Sequence, residues 1–302
     1  MRRVLPLLLL ALALVPGAAT AAEPVPELEE LREPPLPAEP VPPTLRELDL
    51  GFMPRGELFT ALIADPRWPH FSVAYQYYFE DPTFKNIAAI SFGETFAVYR
   101  GRIGEGWWEL GLQAGVFAVF DLDASSYDLI NSDYFAAAVA AYRYRDFSVL
   151  GRFFHQSSHL GDEFLLRQTR PERVNLSYEG VDIKLSYEFF NDAVRLYGGV
   201  AYLLNRTPED LDPWSTQVGL ELRSPWPGPD AGWRPIAAID VQNREENRWA
   251  TDISIRAGVE FSGVLAPRNL QILVEYFTGH SPNGQFYRDA VDYLGLGLHF
   301  HF

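Results

Sequence analysis

Beyond Pro66 the chain alternates apolar and polar residues with a period of two. Within 251–262, Ile253, Ile255, Ala257, Val259 and Phe261 fall on one face, and Asp252, Ser254, Arg256, Gly258 and Glu260 on the other. Within 179–189, Val181, Ile183, Leu185, Tyr187 and Phe189 oppose Asp182, Lys184, Ser186 and Glu188. Successive side chains of a strand point to opposite faces, so alternation over ten residues predicts strands with one apolar and one polar surface. About twelve such segments are predicted: 69–80, 86–100, 107–121, 133–144, 147–159, 174–188, 193–204, 214–223, 234–243, 250–262, 269–278 and 292–302. Their connections alternate in length. Gly101–Gly106, Arg145–Asp146, Phe189–Asp192 and Gly263–Arg268 are short, whereas Leu122–Ser132, Leu160–Arg173, Asn205–Pro213 and Gly279–Val291 are longer; Ser224–Trp233 breaks the rule. Short periplasmic turns and long external loops are the habit of membrane barrels. The pattern therefore predicts an all-β chain, a transmembrane antiparallel β-barrel of about 12 strands over 67–302. A soluble sandwich, whose apolar faces pack on each other, is the rival.

The region before the barrel divides into three. Residues 1–21 read as a signal peptide, with Arg2 and Arg3, an apolar run from Val4 to Val15, and a small-residue site at Ala19-Thr20-Ala21. Residues 22–47 are an acidic, Pro-rich linker with eight prolines, a composition that builds no core and predicts an extended periplasmic tail. Residues 48–66 are expected to be a short periplasmic or plug segment, with one or two helical turns within Gly56–Ala64.

Aromatic placement bears on the choice between barrel and sandwich. Trp68, Trp107, Trp108, Trp214, Trp226, Trp233 and Trp249 all fall at or beside predicted strand ends. Amphipathic rings settle there as girdles at the membrane–water boundary. The final Gly297-Leu298-His299-Phe300-His301-Phe302 alternates aromatics and stops on Phe. It resembles the sorting signal read by the bacterial barrel-assembly machinery, which is therefore an expected partner, with the bacterial outer membrane as location.

Composition removes other classes. The 302 residues carry 25 Lys+Arg against 40 Asp+Glu, a net charge of −15, which argues against nucleic acid as a partner. Cysteine is absent, so disulfides, thiolate metal sites and Cys nucleophiles are excluded. No cofactor or metal pattern stands out: His155 and His159 are about 13 Å apart on a strand and cannot chelate one ion.

The candidate chemistry lies at His155 and Ser157. Two apart on a strand, they share a face, with Cα atoms roughly 6.6 Å apart. A His–Ser hydrogen bond is what nucleophile activation requires, and a third group must orient the imidazole. If the strands before and after the Leu160–Arg173 loop form a hairpin, residue 178 is expected opposite His155, with Glu179 one step away. Glu179 has the parity of the apolar outward set Val181, Ile183 and Leu185. His155, Ser157 and Glu179 would then lie together on the outer wall near its extracellular end, where a polar trio is costly unless close to the interface. Asp162 and Glu163 are alternative acids or holders of a divalent cation; a solvated turn is their ordinary role. Inward positions carry both signs: Lys184, Glu188, Arg195, Glu221, Arg223, Asp240, Asp252, Arg256, Glu260 and Glu275. Salt-bridged packing that closes the interior, or a narrow polar pore, would account for them, and His299 and His301 read as lumen lining.

Three segments carry a resemblance to a family: Leu58-Phe59 through Ala64-Asp65-Pro66-Arg67, Ile90-Ser91-Phe92-Gly93-Glu94-Thr95-Phe96, and His155-Gln156-Ser157-Ser158-His159-Leu160-Gly161-Asp162-Glu163. They resemble a bacterial family of membrane barrels known as domain of unknown function 1207, which implies the fold and no activity. Locally, Arg152, His155 and Ser157 resemble the Arg-x-x-His-x-Ser-Asn strand of outer-membrane lipid A deacylases, with Ser158 where Asn is usual. That resemblance implies Ser157 as nucleophile, His155 as base, Glu179 as acid, and outer-membrane lipid, including lipopolysaccharide, as partner. Three function classes remain open on sequence: a pore, a structural or anchoring barrel, and a serine esterase acting on membrane lipid.

Overall fold

The computed structural model describes residues 48–79, 83–167, 173–265 and 268–301; the expected signal peptide, the Pro-rich linker and Phe302 lie outside them. The strands, in chain order, are β1 (Gly51–Phe52), β2 (Phe71–Phe79), β3 (Asn86–Ile103), β4 (Gly106–Asp121), β5 (Leu129–Tyr144), β6 (Phe147–Leu160), β7 (Leu176–Phe189), β8 (Val194–Thr207), β9 (Trp214–Arg223), β10 (Trp233–Arg244), β11 (Thr251–Leu265), β12 (Arg268–His280) and β13 (Ala290–His301), with a short helix α1 (Asp162–Arg167) between β6 and β7. Each long strand pairs antiparallel with its chain neighbours, and β13 pairs with β2, so β2–β13 close a twelve-stranded barrel. The two residues of β1 sit beside Arg100 and Tyr99 of β3. Among the described residues no helix is long and apolar enough to cross a membrane.

Alternation sorts side chains as expected. On β11, Asp252, Ser254, Arg256 and Glu260 are buried inward, while on β7 Val181, Ile183, Leu185 and Tyr187 are exposed outward. The exterior of a soluble protein would not carry such a band; it matches the lipid-facing surface of a membrane barrel.

Strand β5 departs from alternation. Its Phe135–Tyr142 run is apolar on both faces, and the reason lies in the lumen. Residues 57–70 thread the barrel interior, and Leu58, Phe59, Leu62 and Trp68 pack on Ala137, Val139 and Ala141 of β5 and Leu150 and Phe154 of β6. Ile63 and Ala64 pack against Ile236, Ala238 and Leu273 on the opposite side. Burying such side chains contributes roughly 1.5–3 kcal/mol each.

The plug is not helical, contrary to the turns expected for Gly56–Ala64. Its backbone groups find partners on the wall rather than in one another. Arg100 donates to the carbonyls of Arg55 (3.0 Å) and Gly56 (2.7 Å), Arg195 to those of Thr60 (3.1 Å) and Ala61 (3.2 Å), and Arg256 to that of Ile63 (2.8 Å). The Ile63 N–H donates to Glu221 at 2.7 Å. Buried backbone polar groups must be satisfied, and these charged partners do so. The inward charges also pair among themselves, as in Arg195–Glu221 (3.3 Å), Arg223–Glu221 (3.0 Å), Arg234–Glu260 (2.8 Å) and Arg256–Glu275 (3.2 Å).

The other mouth is narrowed by the loop between β12 and β13, which tucks inward. Gly284 N–H donates to Asp133 (2.9 Å), Gln285 N–H to Asn131 (3.2 Å), and the Gln285 amide to the carbonyls of Ser158 and Val174 (both 2.9 Å). That is why β5 starts at Leu129 rather than at 133: Asn131 looks like a loop residue in sequence, but it and Asp133 are both strand residues whose polar side chains hold this loop. Between plug and loop remains a cavity of about 190 Å³, bordered by Asp65, Arg67, Arg152, Tyr178, Arg244 and Tyr287.

Tryptophan placement needs one correction. Trp68 is buried in the plug against Phe59, with ring centroids 5.9 Å apart, because the chain turns into the lumen there. Trp107 faces inward beside the same cluster, while Trp214, Trp226, Trp233 and Trp249 are exposed near strand ends. His299, as expected, lines the lumen; its Nδ1 lies 2.8 Å from Nε2 of His70, and His301 stacks on His70 at 4.8 Å.

Candidate functional site on the outer wall

Strands β6 and β7 pair with His155 directly opposite Glu179 and Ser157 opposite Ser177. The pairing is shifted by one residue from the expected 155–178 match. The shift brings the carboxylate beside the imidazole: His155 Nδ1 donates to Glu179 Oε1 at 2.7 Å. Both are on the outer face, their side chains 46% and 33% exposed, amid Phe153 and Val181 one pleat away. A bond at Nδ1 leaves Nε2 of the ring free for a second partner, the arrangement in which a carboxylate fixes the tautomer of a general base.

Ser157 stands on the same face, between Tyr134 of β5 and Ser177 of β7 in the pairing. Its hydroxyl makes no hydrogen bond among the described residues. The structure therefore joins His155 to Glu179 and leaves Ser157 two residues along the same face, within reach by side-chain rotation. Catalytic hydrogen bonds often tighten only with substrate bound.

Neighbouring residues in the motif point the other way. Arg152 faces the lumen, where it pairs with Asp182 and donates to Gln113 at 2.8 Å. Ser158 is buried inward, and its hydroxyl donates to Asn131 Oδ1 at 3.1 Å. It holds the tucked loop and has no access to chemistry outside. Asp162 and Glu163 are exposed in the first turn of α1, and neither is bonded to His155. His159 packs edge-on against Tyr134 at 5.7 Å.

Beside His155 the outer wall is hollowed into a trough of about 460 Å³. Ala114 of β4 lies opposite Ala136 of β5, and Ala136 opposite His155, so two small residues form the floor. Phe92 and Phe96 of β3 and Tyr134 of β5 rise around it. Sequence reading missed this feature; its signal was the run of alanines outward on β5, flanked by aromatics.

Solved structures show what shares this architecture. Outer membrane phospholipase A from Escherichia coli is similar at 12% identity, with a TM-score of 0.56 and coverage of 78% of this chain and 93% of that one. The Salmonella typhi outer membrane phospholipase dimer with bound calcium is similar at 13% identity, with a TM-score of 0.55 and coverage of 78% and 91%. At such identity the likeness establishes the fold of outer-membrane β-barrels. A comparison with curated protein sequences gives no significant match. The family model described as "Protein of unknown function (DUF1207)" matches residues 29–302, and the chain belongs to that family.

Proposed function

We propose that this barrel resides in the outer membrane and is a serine hydrolase that cleaves acyl-ester bonds of membrane lipids at its outer wall. The observation that carries the reading is the His155–Glu179 hydrogen bond on a face turned to lipid, with Ser157 two residues away. Two similar structures are phospholipases by name, which fits the same chemistry in the same setting. A conducting pore is disfavoured because the plug and the tucked loop obstruct the lumen from its two ends.

The reaction follows from the geometry. His155 Nε2 accepts the Ser157 proton as Oγ attacks the ester carbonyl carbon, forming the acyl–Oγ bond. Glu179 stabilises the imidazolium that results. The carbon–oxygen bond to the alcohol breaks, and the alkoxide leaves with the proton from His155. Water then attacks the acyl-serine, gives its proton to His155, and releases the fatty acid as Ser157 recovers its proton. The trio sits toward the long-loop end of β6 and β7, where the ester linkages of the outer leaflet lie and where a carboxylate on the wall costs little.

Labelling the detergent-folded barrel with a fluorophosphonate, followed by peptide mass spectrometry, tests this. The expected result is one adduct, on Ser157, lost in His155→Ala. Adducts absent from Ser157, or unchanged in His155→Ala, contradict the reading.

A further inference from the structure

The trough beside His155 has a direction. Glu179, His155, Ala136, Ala114 and Glu94 lie directly opposite one another in the successive pairings of β7, β6, β5, β4 and β3. At about 4.8 Å between neighbouring strands, Ala114 lies roughly 10 Å across the wall from His155. The trough thus starts beside the candidate base and runs across β5 and β4 along one row of paired residues. Its far end reaches Phe92 and Phe96 on β3.

Its lining says what fits. Between His155 at one end and Glu94 at the other, the surface is alanine, glycine, valine and aromatic rings. A peptide laid there would bury backbone N–H and C=O groups without partners, which is costly against hydrocarbon. A saturated chain has no such groups, and this face is bathed in such chains. The volume is in the range of pockets that hold small organic ligands. Larger side chains at the floor would erase the hollow: one pleat along β5, Ala138 faces outward next to Leu112 and Phe153 and lies outside the trough.

Building on the hydrolase reading, we infer that this trough receives the acyl chain of the ester presented to Ser157, and that Ala136 and Ala114 set the chain length accepted. The shared chemistry is an acyl ester, whether from a glycerophospholipid or from lipid A.

The experiment has an activity arm and a binding arm. In the first, hydrolysis of C4 and C16 acyl esters is compared for the wild type, Ala136→Leu, Ala114→Leu and Ala138→Leu. Filling the floor removes burial of about two methylenes, so the C16-to-C4 ratio of kcat/KM is expected to fall about tenfold in the first two variants and to stay at the wild-type value in Ala138→Leu. In the second, a phosphatidylcholine and a lipid A carrying a diazirine on the acyl chain are photolysed with the folded barrel, and adducts are mapped by mass spectrometry. Adducts concentrated on the peptides around Ala136 and Ala114, and displaced in Ala136→Leu, support the trough, and the better-labelled lipid identifies the source. Adducts spread evenly around the wall, or protein–protein adducts at this face, overturn it, as does an unchanged chain-length ratio in Ala136→Leu. Trough-specific adducts without hydrolysis by the wild type would refute the hydrolase reading and leave the acyl site standing.

Discussion

The inner and outer faces of β5, β6 and β7 show two uses of polar residues three or fewer positions apart. Inside, Arg152 pairs with Asp182 and stacks over Trp68 at 5.4 Å, while Asn131, Asp133 and Ser158 hold the tucked loop. Each of these inward groups serves the scaffold, satisfying the plug, the loop or another charge. Outside, His155 and Glu179 touch neither plug nor loop and bond to each other among apolar neighbours. Nothing in the packing of the barrel calls for them. The strand's parity therefore divides scaffold from chemistry within a single motif, and the Arg-x-x-His-x-Ser-Ser stretch straddles both.

That division can be broken from either side. The largest effect is expected for Ser157→Ala, which should lower lipid hydrolysis by about 10³-fold or more while the barrel keeps its heat-modifiable gel mobility. Glu179→Gln keeps the size of the side chain but favours the wrong imidazole tautomer; a loss of about 10²- to 10⁴-fold in kcat is expected from initial-rate kinetics. On the inner face, Glu221→Gln leaves Arg195 and Arg223 buried without a carboxylate. Urea titration of the barrel in vesicles, followed by tryptophan fluorescence, should show about 3–5 kcal/mol of lost stability, with the turnover of the folded fraction unchanged. Deleting residues 48–66 should give steady ion conductance in planar bilayers, where the intact chain should give none. The smallest effect on turnover is expected for Ser158→Asn, which restores the deacylase pattern on the wrong face. It should leave kcat unchanged and speed hydrogen exchange at Gln285, whose contacts it crowds.

The barrel was legible in the sequence because period-two alternation is a local property, and most of the strands repeat it. The pairing of His155 with Glu179 was legible to within one residue, since parity and hairpin geometry restrict the choice to a few positions. The plug was not. Leu58, Phe59, Leu62 and Trp68 carry no regular period, and their non-helical path is imposed by arginines from β3, β8 and β11, distant in the chain. Its only local trace is the apolar inner face of β5, which alternation alone cannot assign. Ser158 looked like the counterpart of the deacylase Asn for a similar reason: sequence neighbours suggest a shared site, whereas the pleat sends residue 158 inward.

Whether the outward trio hydrolyses membrane lipid is tested most directly by mass spectrometry of lipid A and glycerophospholipids from cells overproducing the wild type, Ser157→Ala and His155→Ala. Lipid species that have lost one acyl chain, with matching free fatty acid, are expected in the wild type alone. Identical lipids in all three strains, with each barrel folded in the outer membrane, would contradict that role.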